Sequence, residues 1–275
     1  RRQRQMCIRD RTRTSIMPMK KTLSMLIISA ATISAAQAAV TLVSGFSHFG
    51  QGETAVSDLG SKSISLSLAN AIRNDDGTFT TDPANNTKTM LDVSSLGLSG
   101  AAGGSGYTVN INFQKATDLN NQDSLFCASI GEANSNSLIG RYENGDKIGI
   151  ANNGSSTGRP GSGLSGTAID FNNPFSLTLS VQAEGAYTLF ITQNGFAQAL
   201  SWPSQKQSGT LNTLYLGSWA TLPGYQSAAT ISGISFWEGA ATQDDLAAII
   251  NVPEPATASL GLVGLGALFL HRRRK

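Results

Sequence analysis

The sequence predicts an all-β protein, an antiparallel β-sandwich of the jelly-roll type with one short helix near the C-terminal end of its body. Three observations support this fold class. Apolar residues alternate with serine, threonine and asparagine in many short stretches, which is the period of a strand with one buried face. Turns rich in glycine and asparagine separate these stretches, and only one stretch has a helical pattern. Many short strands joined by short turns are typical of sandwiches and jelly rolls.

The predicted strands follow one another from Val40. SKSISLSLANAI and GYTVNINF place an apolar residue at every second position. FSLTLSV and YTLFITQ form the clearest hairpin, around AEGA, and Asn194-Gly195 then turns the chain again. IGRYENGDKIGI predicts another hairpin, with a type I′ turn at Asn144-Gly145, and TLNTLYLGSW and AATISGISFWEG add two strands. One apolar and one polar face per strand predict sheets that are covered on one side only.

The predicted helix lies in TQDDLAAII, where Thr242 is a suitable N-cap and Asp245 follows three residues later. Asp244 and Asp245 also suit the positive end of the helix dipole. Two segments interrupt the strand pattern, residues 73–89 and 151–166. Both are rich in Asn, Asp, Gly, Ser and Pro, and we expect them to be long surface loops.

The N-terminal region predicts export. Residues 19–38 combine Lys20 and Lys21 with an apolar stretch and the small residues Ala36 and Ala38, which is typical of a secretory signal peptide cut by signal peptidase before Ala39. A membrane anchor is the alternative. Residues 1–18 contain MCIRDR, which resembles translated sequencing-adaptor read-through, so we expect this leader to be non-native and the start to be Met19 or Met17.

The C-terminal region has three parts in residues 252–275: a Pro-Glu-Pro motif, the apolar run 256–270 and a basic tail. Its key residues are Val252, Pro253, Glu254, Pro255, Arg272, Arg273 and Arg274. As a helix the run would reach about 22 Å, less than the ~30 Å of a bilayer core, so a weak permanent anchor is one interpretation.

These three parts together resemble a PEP-CTERM sorting signal. The resemblance implies processing by an exosortase-type membrane protease in a Gram-negative bacterium that makes extracellular polysaccharide. We therefore expect a protein of the cell surface, outer membrane or extracellular matrix, transiently anchored in the membrane by its C-terminal helix.

Residues 39–251 form one predicted domain with eight basic and sixteen acidic residues, a net charge of −8. This balance argues against nucleic-acid binding, which needs clustered Lys and Arg. Cys127 is the single cysteine of this domain, which excludes an intrachain disulfide there, and its apolar surroundings predict a small buried side chain.

The order of elements over residues 107–250 resembles a laminin-G-like domain of the concanavalin A-like lectin/glucanase class. The resemblance rests on FSLTLSVQAEGAYTLFITQNGFAQ, LNTLYLGSW and ISGISFWEGAATQDDLAAI. It implies the sandwich fold, and it implies that calcium, where bound, is held by Asp and backbone or Asn oxygens at a loop-bearing rim.

Catalysis finds little support in the sequence. His48 is the only histidine of the domain, and a structural role near a strand end is the simpler interpretation. The Glu-x-Asp-x-x-Glu strand of glucanases with this fold does not occur. We therefore expect a protein that is not an enzyme, with a hydrolase or lyase on the same fold as the alternative.

Two kinds of binding site are candidates. Asp75, Asp76 and Asp82 are the most concentrated acidic group and could ligate calcium, with a second group at Asp118 and Asp123; solvated turn residues are the alternative. Trp202, Trp219 and Tyr225 could form an aromatic platform for a sugar, whereas Trp237 is expected in the core or at a half-buried edge. The expected function is carbohydrate binding or adhesion, with extracellular polysaccharide as the partner; a purely structural coat protein is a further alternative.

Overall fold

The structure is a computed structural model that describes residues 40–85, 89–130, 137–152, 165–202, 208–219 and 224–251. It confirms the all-β fold class. Within these residues the strands are β1 (Thr41–Phe46), β2 (Thr54–Val56), β3 (Leu59–Gly60), β4 (Ser65–Ser67), β5 (Ala71–Arg73), β6 (Phe79–Thr81), β7 (Thr89–Asp92), β8 (Tyr107–Thr117), β9 (Ser124–Ile130), β10 (Ser137–Glu143), β11 (Lys147–Asn152), β12 (Phe175–Val181), β13 (Tyr187–Gln193), β14 (Phe196–Trp202), β15 (Leu211–Leu216) and β16 (Ala228–Glu238).

Two antiparallel sheets form the sandwich. The larger has nine strands, with the order β14-β13-β12-β8-β16-β1-β3, while β6 pairs with both β16 and β5. The smaller has five strands in the order β11-β10-β9-β15-β7, and β2 and β4 form a separate pair. Strands that are neighbours in the sheet are often distant in sequence. For example, β8 pairs with β12 on one side and with β16, which begins at residue 228, on the other.

The core lies between the two sheets and uses the alternating residues that the sequence predicts. Val109, Ile111 and Phe113 of β8 face it, together with Leu177 and Leu179 of β12. Apolar burial of this extent is the main stabilising contribution to such a fold. The predicted alternation on the inner face is therefore confirmed.

The outer face of the larger sheet contradicts the prediction that the sheets are covered on one side only. Every residue of β12 is buried, including Ser176, Thr178 and Ser180, so the polar face of this strand is not a solvated surface. Ser180 Oγ donates to the carbonyl of Ala241 at 2.9 Å, and Thr108 Oγ1 of β8 donates to the carbonyl of Gly239 at 2.8 Å. The segment after β16 folds back over the larger sheet and buries its polar residues.

Two hairpins test the turns that were predicted from Asn-Gly pairs. Asn194 and Gly195 both have positive φ (52° and 76°) between the paired residues Gln193 and Phe196, which confirms the predicted turn. The predicted β10–β11 hairpin is confirmed, but Glu143 pairs with Lys147, so its loop has three residues instead of the two-residue type I′ turn predicted at Asn144-Gly145. Positive φ falls on Gly145 (82°) and Asp146 (56°) of this loop.

The prediction of one long loop over residues 73–89 was wrong. The segment turns at Gly77 (φ 81°) and returns as β6, which adds to the larger sheet, and a 3-10 helix follows at Pro83–Asn85. Asp76 stabilises this turn by accepting hydrogen bonds from the backbone N–H and the hydroxyl of Thr78, at 3.0 and 2.7 Å. Of the second predicted loop, 151–166, residues 151–152 belong to β11 and residues 153–164 lie outside the described residues.

The predicted helix is confirmed as a 3-10 turn at Gln243–Asp245 that continues into α1 (Leu246–Ile250). The N–H and the hydroxyl of Thr242 both donate to Asp245 Oδ2 at 2.8 Å, as the capping pattern predicts. No helix in the described part of the chain is long and apolar enough to cross a membrane. The predicted leader, signal peptide with Ala36, Ala38 and Ala39, and C-terminal apolar run lie outside that part.

Candidate functional site

A row of hydrogen-bonded polar side chains lies on the outer face of the larger sheet. Asn110 Oδ1 accepts hydrogen bonds from Ser176 Oγ at 2.6 Å and Thr178 Oγ1 at 2.9 Å. Asn110 in turn donates to Asn112 Oδ1 at 3.0 Å. The neighbouring strands β8 and β12 contribute two members each in register, because these residues occupy the polar positions of the alternating pattern. The row is buried at Asn110 and opens toward solvent at Asn112.

A groove crosses this same face beside α1. It consists of three cavities of about 230, 280 and 510 Å³. The first two share Asn112, Ser232 and Ile250, and the last two share Thr192, Gly195 and Ile250, so they form one continuous depression. Its course runs over β1, β16, β8, β12, β13 and β14, which are adjacent strands of the sheet. The sequence analysis did not predict it, since α1 supplies one wall from a distant part of the chain.

A second surface lies on the outer face of the smaller sheet. Cys127, Ile139, Ala151 and Tyr215 come from four strands of that sheet and form a buried apolar cluster. The prediction that Cys127 is buried is confirmed, as the residue is 0% exposed. The pairings Ile139 with Ala151 and Tyr215 with Cys127 place these four residues in one row across the strands. Burial raises the pKa of Tyr215 above its ordinary value.

The aromatic residues proposed from the sequence partly come together at this second surface. Trp219 packs against the apolar cluster, and its ring centroid lies 5.6 Å from that of Tyr225, with the planes tilted by 53°. Trp219 Nε1 is buried and has no hydrogen-bond partner among the described residues. Both rings are half-buried, so part of each remains open to solvent.

An ion pair occupies the same face of β10. Arg141 Nε lies 2.6 Å from Glu143 Oε1, and the two side chains are only 12% and 14% exposed. Ile139, Arg141 and Glu143 alternate along the strand, which places them on one side of the sheet. The second surface therefore combines aromatic rings with one paired charge of each sign.

Trp202 lies elsewhere. It belongs to β14 of the larger sheet and stacks on Tyr187, with ring centroids 5.6 Å apart and planes 26° from parallel. The structure does not bring it together with Trp219 and Tyr225. Trp237 is buried at 8% exposure and contacts Ala241 and Ile249, which confirms its predicted core position.

The acidic residues proposed for calcium are not brought into one site. Asp76 is engaged with Thr78, whose hydroxyl and N–H hold the pKa of that carboxyl below its ordinary value. Asp82 Oδ1 accepts the N–H of Ala84 at 2.9 Å. Among the residues that the structure describes, no three His, Cys, Asp or Glu side chains form a group that could hold a metal ion.

The second acidic pair, Asp118 and Asp123, also serves a turn. Asp123 Oδ2 accepts the N–H of Asn120 at 2.6 Å. Burial raises the pKa of Asp123, and the hydrogen bonds from Asn120 oppose this shift. Asp118 adopts a positive φ of 54° in the same turn. This arrangement matches the alternative role of turn residues.

His48 contacts a serine and an aspartate, which the sequence analysis did not foresee. His48 Nδ1 lies 3.1 Å from Asp58 Oδ2 and 3.4 Å from Ser47 Oγ, and Ser47 Oγ donates directly to Asp58 Oδ2. In a catalytic triad the serine and the carboxylate contact opposite nitrogens of the imidazole. Here both approach the same nitrogen, and the imidazole side chain is 66% exposed.

Comparison with known structures shows the fold. The sialidase of Trypanosoma rangeli in complex with sialic acid superposes with a TM-score of 0.50 at 10% identity, over 74% of this chain and 32% of that one. A second structure is domain 4 of AbnA, an extracellular GH43 arabinanase of Geobacillus stearothermophilus, in complex with arabinotriose. Its TM-score is 0.48 at 16% identity, over 74% of this chain and 95% of that domain. The chain thus spans about a third of the sialidase. No curated protein sequence matches it.

A family model matches the end of the chain. Residues 251–275 match the PEP-CTERM protein-sorting motif, which confirms the predicted sorting signal with Val252, Pro253, Glu254, Pro255 and the three arginines 272–274. Such a motif indicates a protein that is exported and sorted at the surface of a Gram-negative bacterium, and it implies recognition by an exosortase. The chain therefore joins an antiparallel β-sandwich to a PEP-CTERM protein-sorting motif.

Proposed function

We propose that this protein is a non-catalytic, carbohydrate-binding protein of the cell surface or extracellular matrix, with a laminin-G-like body. The observation that carries the proposal is the half-buried Trp219–Tyr225 pair on the smaller sheet. Aromatic faces stack on the apolar faces of sugar rings. The Arg141–Glu143 pair on the outer face of the same sheet carries hydrogen-bonding groups of the kind that orient a sugar.

The sorting motif supports the location. A chain carrying this motif is sorted to the surface, where it can meet extracellular polysaccharide. We propose that the polysaccharide is bound there and that the C-terminal segment anchors the protein in the membrane only until an exosortase processes it. The sialidase structure in the comparison is a complex with sialic acid, and its fold is compatible with this proposal.

The test is a glycan array probed with the purified full chain, with calcium and with a chelator. We expect selective binding, and we expect Trp219→Ala to reduce it at least tenfold. Met90→Ala is the matched control, because Met90 is an exposed apolar residue (54%) on an edge strand of the same sheet. Binding that both variants retain in full would contradict a site at Trp219, and calcium dependence would revive the metal site.

The alternative is a carbohydrate-active enzyme. The one observation in its favour is the contact of Ser47, His48 and Asp58, whose geometry differs from that of a triad. Prolonged incubation with each bound glycan should release no new reducing ends and no unsaturated sugar products. Product release that His48→Ala abolishes would overturn the non-catalytic proposal. The absence of binding to any glycan would favour the structural coat role.

A further inference from the structure

The groove on the larger sheet has an uncharged polar lining. Asn112, Gln114, Ser232, Thr192 and Asn194 present amide and hydroxyl groups to it. Among the described residues that line the three cavities, none carries an ionisable side chain. The uncharged lining contrasts with the domain as a whole, which has sixteen acidic and eight basic residues and a net charge of −8. Such a lining suits a ligand that is rich in hydroxyl groups and has no charge of its own.

Several of these groups have hydrogen-bonding capacity left over. The side chain of Gln114 is exposed, and it makes no hydrogen bond within the described residues. Thr192 Oγ1, which borders two of the cavities, is buried and finds no partner among those residues. A buried polar group without a partner is unfavourable, so a ligand hydroxyl that reached Thr192 would relieve that cost.

The shape of the groove indicates an extended ligand. It crosses six adjacent strands, which lie about 4.8 Å apart, and therefore runs for about 24 Å. One wall is apolar and is formed by Leu246, Ala247 and Ile250 of α1. Gln243, whose side chain is exposed, borders the end of the groove beside β14.

We propose that this groove is a second carbohydrate site, which binds a neutral polysaccharide in extended form. It lies on the opposite sheet from Trp219 and Tyr225, so it is independent of the site of the proposed function. A polyanionic glycan is disfavoured there, because the groove offers no cation and the surrounding domain carries a net charge of −8.

Affinity electrophoresis of the full chain tests the proposal, with neutral polysaccharides (laminarin, galactomannan, xyloglucan and dextran) and anionic ones (alginate and polygalacturonate) in the gel. We expect at least one neutral polymer to retard the protein and the anionic polymers not to. Retardation by the neutral polymer should not change between 50 and 500 mM salt, since screening affects only charged contacts.

Variants then locate the site. Gln114→Ala and Gln243→Ala lie at different places along the groove, and each should weaken retardation at least fivefold. Their controls are Lys115→Ala, the next residue of the same strand, and Ile72→Ala, an exposed apolar residue (53%) that does not line the groove. Both substituted residues are exposed, so we expect the variants to fold.

The outcomes separate the two sites. If the groove variants lose binding to the neutral polymer and Trp219→Ala retains it, the inference holds. If only Trp219→Ala loses it, the groove is not a site and the proposed function stands alone. Retardation by anionic polymers only, or by no polymer in the panel, would overturn the inference.

Discussion

The two outer faces of the sandwich start from the same sequence pattern and end as different surfaces. On the larger sheet, the polar positions form a hydrogen-bonded row around Asn110 that opens into an uncharged groove. On the smaller sheet, the corresponding positions hold the apolar row of Cys127, Ile139, Ala151 and Tyr215. Hydroxyls next to that apolar row, at Ser129 and Ser137, are buried without partners among the described residues.

This difference shows that an outward-facing position is not necessarily a solvated one. A buried hydroxyl contributes to stability when it is hydrogen-bonded and costs free energy when it is not. The row around Asn110 on the larger sheet satisfies its buried hydroxyls, whereas Ser129 and Ser137 on the smaller sheet have no hydrogen-bond partner among the described residues. Removing a buried hydroxyl at these two places should therefore change the free energy of unfolding with opposite signs.

The largest effect is expected at Asn110. Asn110→Ala removes the acceptor of Ser176 and Thr178 and leaves two buried hydroxyls unpaired. At about 1–3 kcal/mol for each group, the free energy of unfolding should fall by roughly 3 kcal/mol. Urea denaturation followed by tryptophan fluorescence measures this. A loss below about 1 kcal/mol would mean that water reaches the row.

A smaller loss is expected at Cys127. Cys127→Ser replaces a thiol by a more polar hydroxyl in an apolar row that is fully buried. Burying a polar group in such a place costs about 1–3 kcal/mol, and the free energy of unfolding should fall by that amount. Unchanged stability would show that the outer face of the smaller sheet is solvated, which would contradict the difference between the two faces.

The sign should reverse at Ser129. Ser129→Ala removes a buried hydroxyl that has no partner, so the protein should be unchanged or stabilised by up to about 1 kcal/mol. Thr178→Val is the matched variant on the larger sheet, where the hydroxyl does have a partner, and it should be destabilising. Thermal melts of the two variants side by side would show this. Destabilisation by both would contradict the comparison.

The smallest effect concerns pH. Burial raises the pKa of Tyr215 above its ordinary value of 10.0, so the folded protein holds this proton more tightly than the unfolded chain does. Its contribution to stability is complete below about pH 10 and is lost as the pH rises through the folded pKa. Tyr215→Phe should therefore lose less stability between pH 9 and 11 than the parent. Equal losses in urea titrations would indicate an exposed phenol.

Much of the fold could be predicted because local patterns carry it. The alternation in β8 and β12, the turn at Asn194-Gly195 and the cap at Thr242 each depend on a few neighbouring residues. Errors occurred where pairing decided the outcome. Pairing of Glu143 with Lys147 gave the β10–β11 loop three residues instead of two, and pairing with β16 drew part of the predicted loop 73–89 into the sheet.

The candidate sites were less predictable. Trp219 and Tyr225 were proposed together from turn composition, and the structure does pair their rings. Trp202, proposed on the same ground, packs on Tyr187 in the other sheet, because composition does not indicate which sheet a turn adjoins. The aspartates near residue 76 bind their own backbone neighbours, which is what short polar side chains in turns commonly do.

The sequence by itself determined where most of the strands and the helix lie, which residues of β8 and β12 share the core, and that a sorting motif follows the body, because these depend on local spacing and short motifs. Only the tertiary structure decided what covers each outer face. Alternation with a period of two residues indicates which side chains lie on the same side of a strand, but it does not indicate what packs against them. Here α1, more than a hundred residues after β8 begins, forms a wall of the groove on that strand.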